Sequence, residues 1–209
     1  MKKEEIAAMI DHTILAPNIS SSQVDKICEE AKEWHFASVC INPVFVTRAA
    51  ENLKDSSVKV CTVIAFPLGA TSTKDKVSET QHAIENGADE IDMVINISAA
   101  LDGRFLEVGT DISEVVKIAK TTGEKLGKEI TVKVILETCY LNDDTIKRCC
   151  ILSKEAGADF VKTSTGFGTP KAPDVTPLPN GALEHHIRLM RETVGPKMWV
   201  KASGGIRSA

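Results

Sequence analysis

One lysine of this sequence follows an apolar, strand-like run and precedes a turn that contains glycines. Lys162 lies in DFVKTSTGFG, after Phe160 and Val161 and before Gly166 and Gly168. Lysine is rarely buried without a partner, and most strand-end lysines extend their ammonium group to solvent. In a dry pocket, however, the pKa of the amine can fall, and a neutral amine attacks a carbonyl carbon to form a carbinolamine and then an imine. The run alone therefore leaves two interpretations open, a solvated lysine and an imine-forming one.

Other strand-like runs also carry charged side chains at alternate positions. Residues i and i+2 of a strand lie on the same side of a sheet, so each charged set shares one face. Asp92 shares its face with Glu90, and Lys133 shares its face with Glu137. The charged residues expected to converge are Asp11, Asp92, Lys133, Lys162 and Lys201. A solvated face of an antiparallel sheet would give the same alternation. Helical segments between nearly all the strands disfavour that alternative, and in a closed barrel the five side chains would converge near the C-terminal mouth.

Three lysines and two aspartates in one dry pocket would affect one another's protonation. We expect Lys201, together with desolvation, to lower the pKa of Lys162 and so to provide a free amine. Asp92 is suited to transfer the protons that imine chemistry requires, and Asp11 and Lys133 would hold the relay in place. The alternative for Asp11, Asp92 and Lys133 is a structural network of buried ion pairs. The constellation thus predicts carbon–carbon bond chemistry through an imine.

The same sequence disfavours a metal-dependent route. No His/Cys/Asp cluster has the spacing of a metal site. His185 and His186 are adjacent on a predicted helix and are not expected to share a face.

The elements that position these residues alternate between strand and helix. Strands are predicted over 9–15, 37–41, 58–66, 90–96, 130–137, from 160 onward and over 199–203; helices over 3–9, 23–34, 45–52, 73–86, 111–125, 142–156 and 181–193. Such alternation indicates βαβ units with parallel strands, which build either an open doubly wound sheet or a barrel. No GxGxxG or P-loop motif follows the first strand, and the charged strand faces favour the (β/α)8 TIM barrel.

Composition and charge narrow the function further. The 209 residues are enough for one domain, predicted over 1–209, and 43% hydrophobic with 26% charged residues is ordinary for a globular protein. A net charge of −4 without a basic tract does not predict a nucleic-acid partner. No run is long enough for a signal peptide or a membrane span, and six cysteines without a CxxC motif indicate a reducing compartment, by default the cytosol.

Several longer motifs closely resemble the deoxyribose-phosphate aldolase family. They follow in the family's order and cover nearly the whole chain: IDHTIL, SVCINP, VCTVIAFPLGATSTKDK, NGADEIDMVIN, VKVILETC, EAGADFVKTSTGFGT and VKASGGIR. The resemblance implies a class I barrel aldolase that needs no metal or other cofactor. It also implies reversible cleavage of 2-deoxy-D-ribose 5-phosphate to acetaldehyde and D-glyceraldehyde 3-phosphate, a homodimer, and no membrane partner.

The resemblance also implies roles for individual residues. Lys162 would be the Schiff-base lysine, Lys201 the lysine that perturbs it, and Asp92 the proton donor and acceptor. Five further side chains would line the pocket, namely Asp11, Thr13, Cys40, Lys133 and Thr165. Backbone amides at three glycines would bind the substrate phosphate, namely Gly166, Gly204 and Gly205.

Two departures from the family leave alternatives open. The family continues beyond VKASGGIR with a helix, an eighth strand and a serine-containing phosphate turn, and this chain has none of them. We therefore expect the sequence to be part of a longer chain; a truncated, non-catalytic homologue that acts as an interaction protein is the alternative. The loop GTPKAPDVTPLPNGA is longer and richer in proline than the family's usual link, so it could alter substrate preference. A related class I aldolase that acts on a keto acid is a third possibility.

Overall fold

The structure is a computed structural model that describes residues 2–171 and 176–206. Its strands form one sheet in sequence order, and every neighbouring pair is parallel. The strands are Asp11–Ile14 (β1), Ser38–Ile41 (β2), Lys59–Ile64 (β3), Glu90–Val94 (β4), Thr131–Ile135 (β5), Phe160–Lys162 (β6) and Trp199–Lys201 (β7). This arrangement confirms the predicted parallel α/β architecture.

Helices connect consecutive strands. The α-helices of the described residues are Lys3–Ala7 (α1), Ser21–Trp34 (α2), Val46–Leu53 (α3), Thr73–Glu85 (α4), Ile97–Leu101 (α5), Phe105–Leu126 (α6), Asp143–Glu155 (α7) and Glu184–Val194 (α8). Two short 3₁₀ helices cover Pro43–Phe45 and Thr138–Tyr140. Side chains cap the N-termini of several helices. Ser20 accepts from the Gln23 N–H in a capping box at α2, and Asn142 accepts from the Thr145 N–H at α7. Such caps typically stabilise a helix by about 1 kcal/mol.

Most of the core lies between the sheet and the helices. Apolar residues of the strands, such as Val39, Ile91 and Val134, are fully buried there against helix residues such as Val24 and Ile112. A smaller apolar cluster consists of Cys40, Cys61 and Val63, with Leu15 and Phe66 packed against it. The strands are therefore apolar on both faces except where the charged residues described above interrupt them.

The two edges of the sheet approach each other. The Lys201 Nζ on β7 donates a hydrogen bond to the Met9 carbonyl, which precedes β1, at 3.0 Å. The sheet is thus curled, as a barrel requires. The prediction of a single domain over 1–209 also covers residues outside the described ranges and stays a prediction, and Pro173 of the proline-rich loop lies outside them.

The bounds of the elements differ from the predicted ones mainly at the C-terminal ends of the strands. The third and fifth strands end two residues before their predicted ends, at Ile64 and Ile135. Ala65 and Glu137 then adopt left-handed backbone conformations (φ 53° and 55°), which an apolar pattern does not reveal. The separate helix α5 was not predicted, and α6 begins at Phe105 rather than at 111.

Candidate active site

The predicted site residues of β4, β5 and β6 meet at one carboxylate. Asp92 is completely buried; its Oδ1 accepts from the Lys133 Nζ at 3.0 Å and its Oδ2 accepts from the Lys162 Nζ at 2.5 Å. The register pairs Asp92 with Lys133, and it pairs Lys162 with Lys201 two residues further along the strands. The charged side chains therefore form two successive layers inside the curled sheet.

Lys133 contacts the largest number of acidic groups. Besides Asp92, its Nζ lies 2.5 Å from Glu90 Oε2 and 3.3 Å from Asp11 Oδ2. It also donates to the Cys61 Sγ at 3.5 Å. Glu90, whose side chain is 15% exposed, is thus part of the ion-pair network, although the sequence analysis assigned it no role.

Lys201 connects the two edges of the sheet through the same network. Its Nζ lies 2.8 Å from Asp11 Oδ2, and its side chain is 19% exposed compared with 7% for Lys162. Asp11 consequently lies between the ammonium groups of Lys133 and Lys201. Lys201 is therefore the more exposed of these two lysines, and Lys162 is the more deeply buried one.

The pKa of Lys162 differs from the expected direction. Burial by itself lowers the pKa of Lys162, but the adjacent Asp92 carboxylate outweighs burial and the net pKa is raised above its ordinary value. The neighbouring lysine whose charge opposes this rise is Lys133, whereas we expected Lys201. In the unliganded protein Lys162 is therefore an ammonium paired with Asp92, and the prediction of a resting free amine was wrong.

The reason is the contact with Asp92. The prediction weighed burial and Lys201, but the Asp92 carboxylate 2.5 Å from the Lys162 Nζ raises the pKa of Lys162 more than burial lowers it. Burial raises the pKa of Asp92, yet the charges of Lys133 and Lys162 lower it to well below its usual range. The pKa of Lys133 is raised for the corresponding reason, since the charges of Asp92, Asp11 and Glu90 outweigh burial. The adjacent carboxylates thus favour the charged forms of Lys133 and Lys162.

Two cysteines lie beside this network. Cys40 and Cys61 are register partners on β2 and β3, and both are buried. Their Sγ atoms and an oxygen of Asp92 lie within 4.8 Å of one another, close enough to surround a cation. The residues fit a metal poorly, however, because burial raises the pKa of the Cys61 thiol and both oxygens of Asp92 already accept from lysines.

A second cluster corrects the prediction for the histidines. His185 and His186 lie in the first turn of α8, where both rings reach Asp143 at the start of α7. The His185 Nε2 lies 2.8 Å from Asp143 Oδ2, and one ligand atom from each of the three residues lies within 4.8 Å of the others. Adjacent positions on a helix therefore did not keep these two side chains apart.

A cavity of about 440 Å³ opens above the lysines. Most of the remaining predicted residues line it: Asp11, Thr13, Thr165, Gly204 and Gly205. The buried residues Cys40, Asp92 and Lys133 do not line the cavity, and neither does Gly166. A larger groove of about 560 Å³ lies elsewhere, between the outer faces of α6 and α7, and contains none of the predicted residues.

The glycine turns at the cavity depend on the absence of side chains. Gly166, Gly204 and Gly205 all have φ near +80°, a conformation that other residues rarely adopt. A Cβ atom on Gly204 would lie 3.0 Å from the Gly181 Cα and 3.3 Å from the Ser164 Cβ. The turns after β6 and β7 therefore approach each other backbone to backbone.

Further polar residues at this end were missed by sequence reasoning. The Ser203 hydroxyl accepts from the Ser164 N–H at 3.1 Å and donates to the Ser164 carbonyl at 2.6 Å, which joins the ends of β6 and β7. The buried Ser164 Oγ lines the cavity and has no hydrogen-bond partner in the part of the chain that the structure describes. Glu137, after β5, accepts hydrogen bonds from Thr165. Strand parity already grouped Glu90 with Asp92 and Glu137 with Lys133, and this was the available signal.

Comparison with known proteins agrees with this geometry. Residues 6–209 match the family described as DeoC/LacD family aldolase. The chain belongs to this family. Relatives named deoxyribose-phosphate aldolase include that of Caldanaerobacter subterraneus subsp. tengcongensis, which is 54% identical over an alignment of 212 residues that covers 100% of this chain and 85% of the relative. The relative from Clostridium perfringens is 52% identical over 208 residues, with the same two coverages.

A solved structure supports the family at the level of the fold. The deoxyribose phosphate aldolase of Aeropyrum pernix, described as tetrameric, superposes with a TM-score of 0.85 at 34% identity. The superposition covers 99% of this chain and 80% of that one. This member of the DeoC/LacD family therefore has the predicted α/β-barrel fold, and its described residues form seven of the strands. None of its described helices is long and apolar enough to span a bilayer.

Proposed function

We propose that this protein is a deoxyribose-phosphate aldolase. It would cleave 2-deoxy-D-ribose 5-phosphate reversibly to acetaldehyde and D-glyceraldehyde 3-phosphate, in the breakdown of deoxyribonucleotides. The similarity to relatives of that name at above 50% identity supports the activity. The observation that carries the mechanism is a lysine and a carboxylate in contact at 2.5 Å, buried at the base of a cavity of suitable size.

The first part of the mechanism forms an imine on Lys162. The Lys162 ammonium transfers its proton to Asp92, and the neutral amine attacks the aldehyde carbon of the open-chain sugar. Asp92 returns the proton to the carbinolamine hydroxyl, which leaves as water, and a protonated imine remains. While Asp92 is protonated it no longer stabilises an ammonium on Lys162, so burial and the positive charge of Lys133 favour the neutral amine.

The second part breaks the carbon–carbon bond. The Asp92 carboxylate, directly or through a water molecule, takes the proton of the C3 hydroxyl. The C2–C3 electrons move into the imine, which becomes an enamine, and glyceraldehyde 3-phosphate departs. Protonation of the enamine at C2 and hydrolysis of the imine then release acetaldehyde and the free lysine. Asp11 and Lys133 keep Asp92 and Lys201 in place through their ion pairs.

The remaining predicted residues would recognise the substrate. Thr13 and Thr165 line the cavity and would contact its hydroxyl groups, and Cys40 would close the pocket from behind. The backbone amides of Gly166, Gly204 and Gly205 would bind the phosphate, because an exposed glycine backbone permits close approach of an anion. No resident metal or cofactor takes part in these steps.

Borohydride trapping tests the proposal directly. Reduction in the presence of acetaldehyde should add an ethyl group to Lys162, identified by peptide mass mapping. The matched control is Lys120, which is paired with Asp159 at 2.8 Å and should remain unmodified. Folded protein without an adduct on Lys162 would refute the imine mechanism, and preferential trapping of pyruvate would indicate an aldolase for keto acids instead.

We extend the proposal to the assembly and the compartment. The six cysteines are free, which is compatible with a reducing cytoplasm. We propose a homodimer, although the Aeropyrum pernix relative is described as tetrameric. Light scattering coupled to gel filtration distinguishes these two states and also a monomer.

A further inference from the structure

A buried carboxylate supports the turn that follows β6 from the side opposite to the cavity. Glu137 is 1% exposed and has a left-handed backbone (φ 55°). Its carboxylate accepts from the Thr165 N–H at 3.2 and 3.3 Å and, through Oε2, from the Thr165 hydroxyl. The Cys139 thiol donates to Oε1 at 3.8 Å. Glu137 therefore uses both oxygens to hold a single residue of the neighbouring turn.

The contacts of Thr165 pass this constraint along the turn. The Thr165 Oγ1 accepts from the Phe167 N–H at 3.0 Å. A Cβ atom on Gly168 would lie 2.7 Å from the Cys139 Sγ and 3.4 Å from the Glu137 carboxyl group, so the turn lies directly on Glu137 and Cys139. In the segment 165–168, which we call the β6 turn, the Thr165 amide is thus bound by the Glu137 carboxylate and the Phe167 amide by the Thr165 hydroxyl.

The amide between these two belongs to Gly166. No acceptor for the Gly166 N–H occurs among residues 2–171 and 176–206. A Cβ atom on Gly166 would lie 3.9 Å from the Gly204 Cα, so this turn faces the turn after β7. An anion between the two turns would receive amides from both, and the position of the Gly166 amide depends on the carboxylate behind it.

We propose that Glu137 is a positioning residue that gives the enzyme its preference for a phosphorylated over an unphosphorylated sugar, because it fixes the β6 turn. The inference rests on the proposed function. The Glu137 carboxylate does not touch the phosphate, which it would repel; it orients neutral amide donors toward it. The effect of Glu137 should therefore appear in the binding of phosphate-bearing ligands and not in the chemistry at Lys162.

The test compares two substrates in Glu137→Gln. The amide oxygen of glutamine can still accept from the Thr165 N–H, but its NH₂ group cannot accept the Thr165 hydroxyl proton. Loss of one charge-assisted hydrogen bond should raise the KM for 2-deoxyribose 5-phosphate about tenfold. The kcat/KM for 2-deoxyribose should change less than about twofold, and so should the kcat for both substrates. Glu155→Gln, on the exposed end of α7, is the matched control and should leave all constants unchanged.

A second measurement is independent of turnover. Calorimetric titration with inorganic phosphate should give a Kd about tenfold higher in Glu137→Gln than in the unsubstituted protein. If Glu137→Gln does not fold, as judged by circular dichroism, Glu137→Asp keeps the charge but withdraws the carboxylate from Thr165, and it should produce the same selective loss.

The outcomes separate the two proposals. Equal losses of kcat/KM for both sugars would mean that Glu137 is merely structural. An unchanged ratio of the two kcat/KM values, together with an unchanged Kd for phosphate, would overturn the inference. Failure of the unsubstituted protein to cleave either sugar would refute the proposed function. In that case the phosphate titration still tests the role of Glu137. If the unsubstituted protein does not bind phosphate, or if Glu137→Gln binds it equally well, the assigned role is contradicted.

Discussion

Removal of the Asp92 charge is the sharpest perturbation of the proposed chemistry. In Asp92→Asn the side chain keeps its shape, but Lys162 loses the carboxylate that lies 2.5 Å from its Nζ. Opposite charges at about 4 Å attract each other by about 4 kcal/mol at an effective dielectric constant of about 20, so at this shorter distance at least that much stabilisation of the ammonium is lost. Burial and the charge of Lys133 then remain, and both lower the pKa of Lys162.

The variant should therefore shift the pH dependence of imine formation to lower pH while losing turnover. We expect the rate of borohydride trapping with acetaldehyde to rise with pH in the unsubstituted protein, and the same rise to occur at lower pH in Asp92→Asn. The maximal rates of trapping and of cleavage of 2-deoxyribose 5-phosphate should both fall, cleavage by about 10²–10⁴-fold, because the group that moves the protons is gone. The shift of the trapping profile, and not its height, distinguishes loss of the charge beside Lys162 from general damage.

The control and the contradictory result are equally specific. The control is Asp25→Asn, which removes a partly exposed carboxylate that pairs with Arg48 at 2.6 Å. It should change neither the pH profile of trapping nor the rate of cleavage. If the trapping profile of Asp92→Asn stays in place or moves to higher pH, then Asp92 does not hold Lys162 as an ammonium, and the charge-balance argument fails.

Three further predictions concern Lys162, the helix layer and the pH dependence of stability. Lys162→Leu should abolish trapping and cleavage and yet retain a cooperative urea transition; loss of the transition would assign Lys162 a structural role. Lys76→Met should lower the free energy of unfolding by about 3–5 kcal/mol without changing KM, because it leaves Asp111 buried after the loss of a 2.5 Å ion pair; an unchanged urea midpoint would contradict this. The pKa values of Asp11 and Asp92 are lowered in the folded state, so their stabilisation is complete above the ordinary aspartate pKa of about 3.9 and is lost as the pH falls below it. Urea titrations between about pH 3 and pH 7 should show this decline, and Asp92→Asn should reduce it.

The sequence predicted the architecture well because its signals were regular. Alternation of strands and helices determined the parallel sheet, and strand parity correctly placed Asp92, Lys133 and Lys162 on a common face. The helices predicted over 23–34 and 142–156 correspond to α2 and α7, which Ser20 and Asn142 cap in the structure. These signals are local, so no knowledge of the tertiary structure was needed to use them.

The charge state of the site could not be predicted in the same way. It depends on which carboxylate contacts which ammonium group and on whether that contact outweighs burial. Strand parity put Glu90 on the face of Asp92, but it did not show that Glu90 Oε2 would lie 2.5 Å from the Lys133 Nζ. The role of Glu137 was hidden for a related reason, since its left-handed backbone turns it toward Thr165 on another strand.

The contact between Lys201 and the Met9 carbonyl has a practical consequence for anyone who handles this protein. A residue at the far end of the described chain, 192 positions later, relies on the opening segment for one of its two acceptors, and on Asp11 for the other. Removal or displacement of residues 2–10 would take away the Met9 carbonyl and leave the Lys201 ammonium with the Asp11 carboxylate. Changes to this segment should thus be judged as changes to the sugar-binding cavity, not as neutral cloning choices.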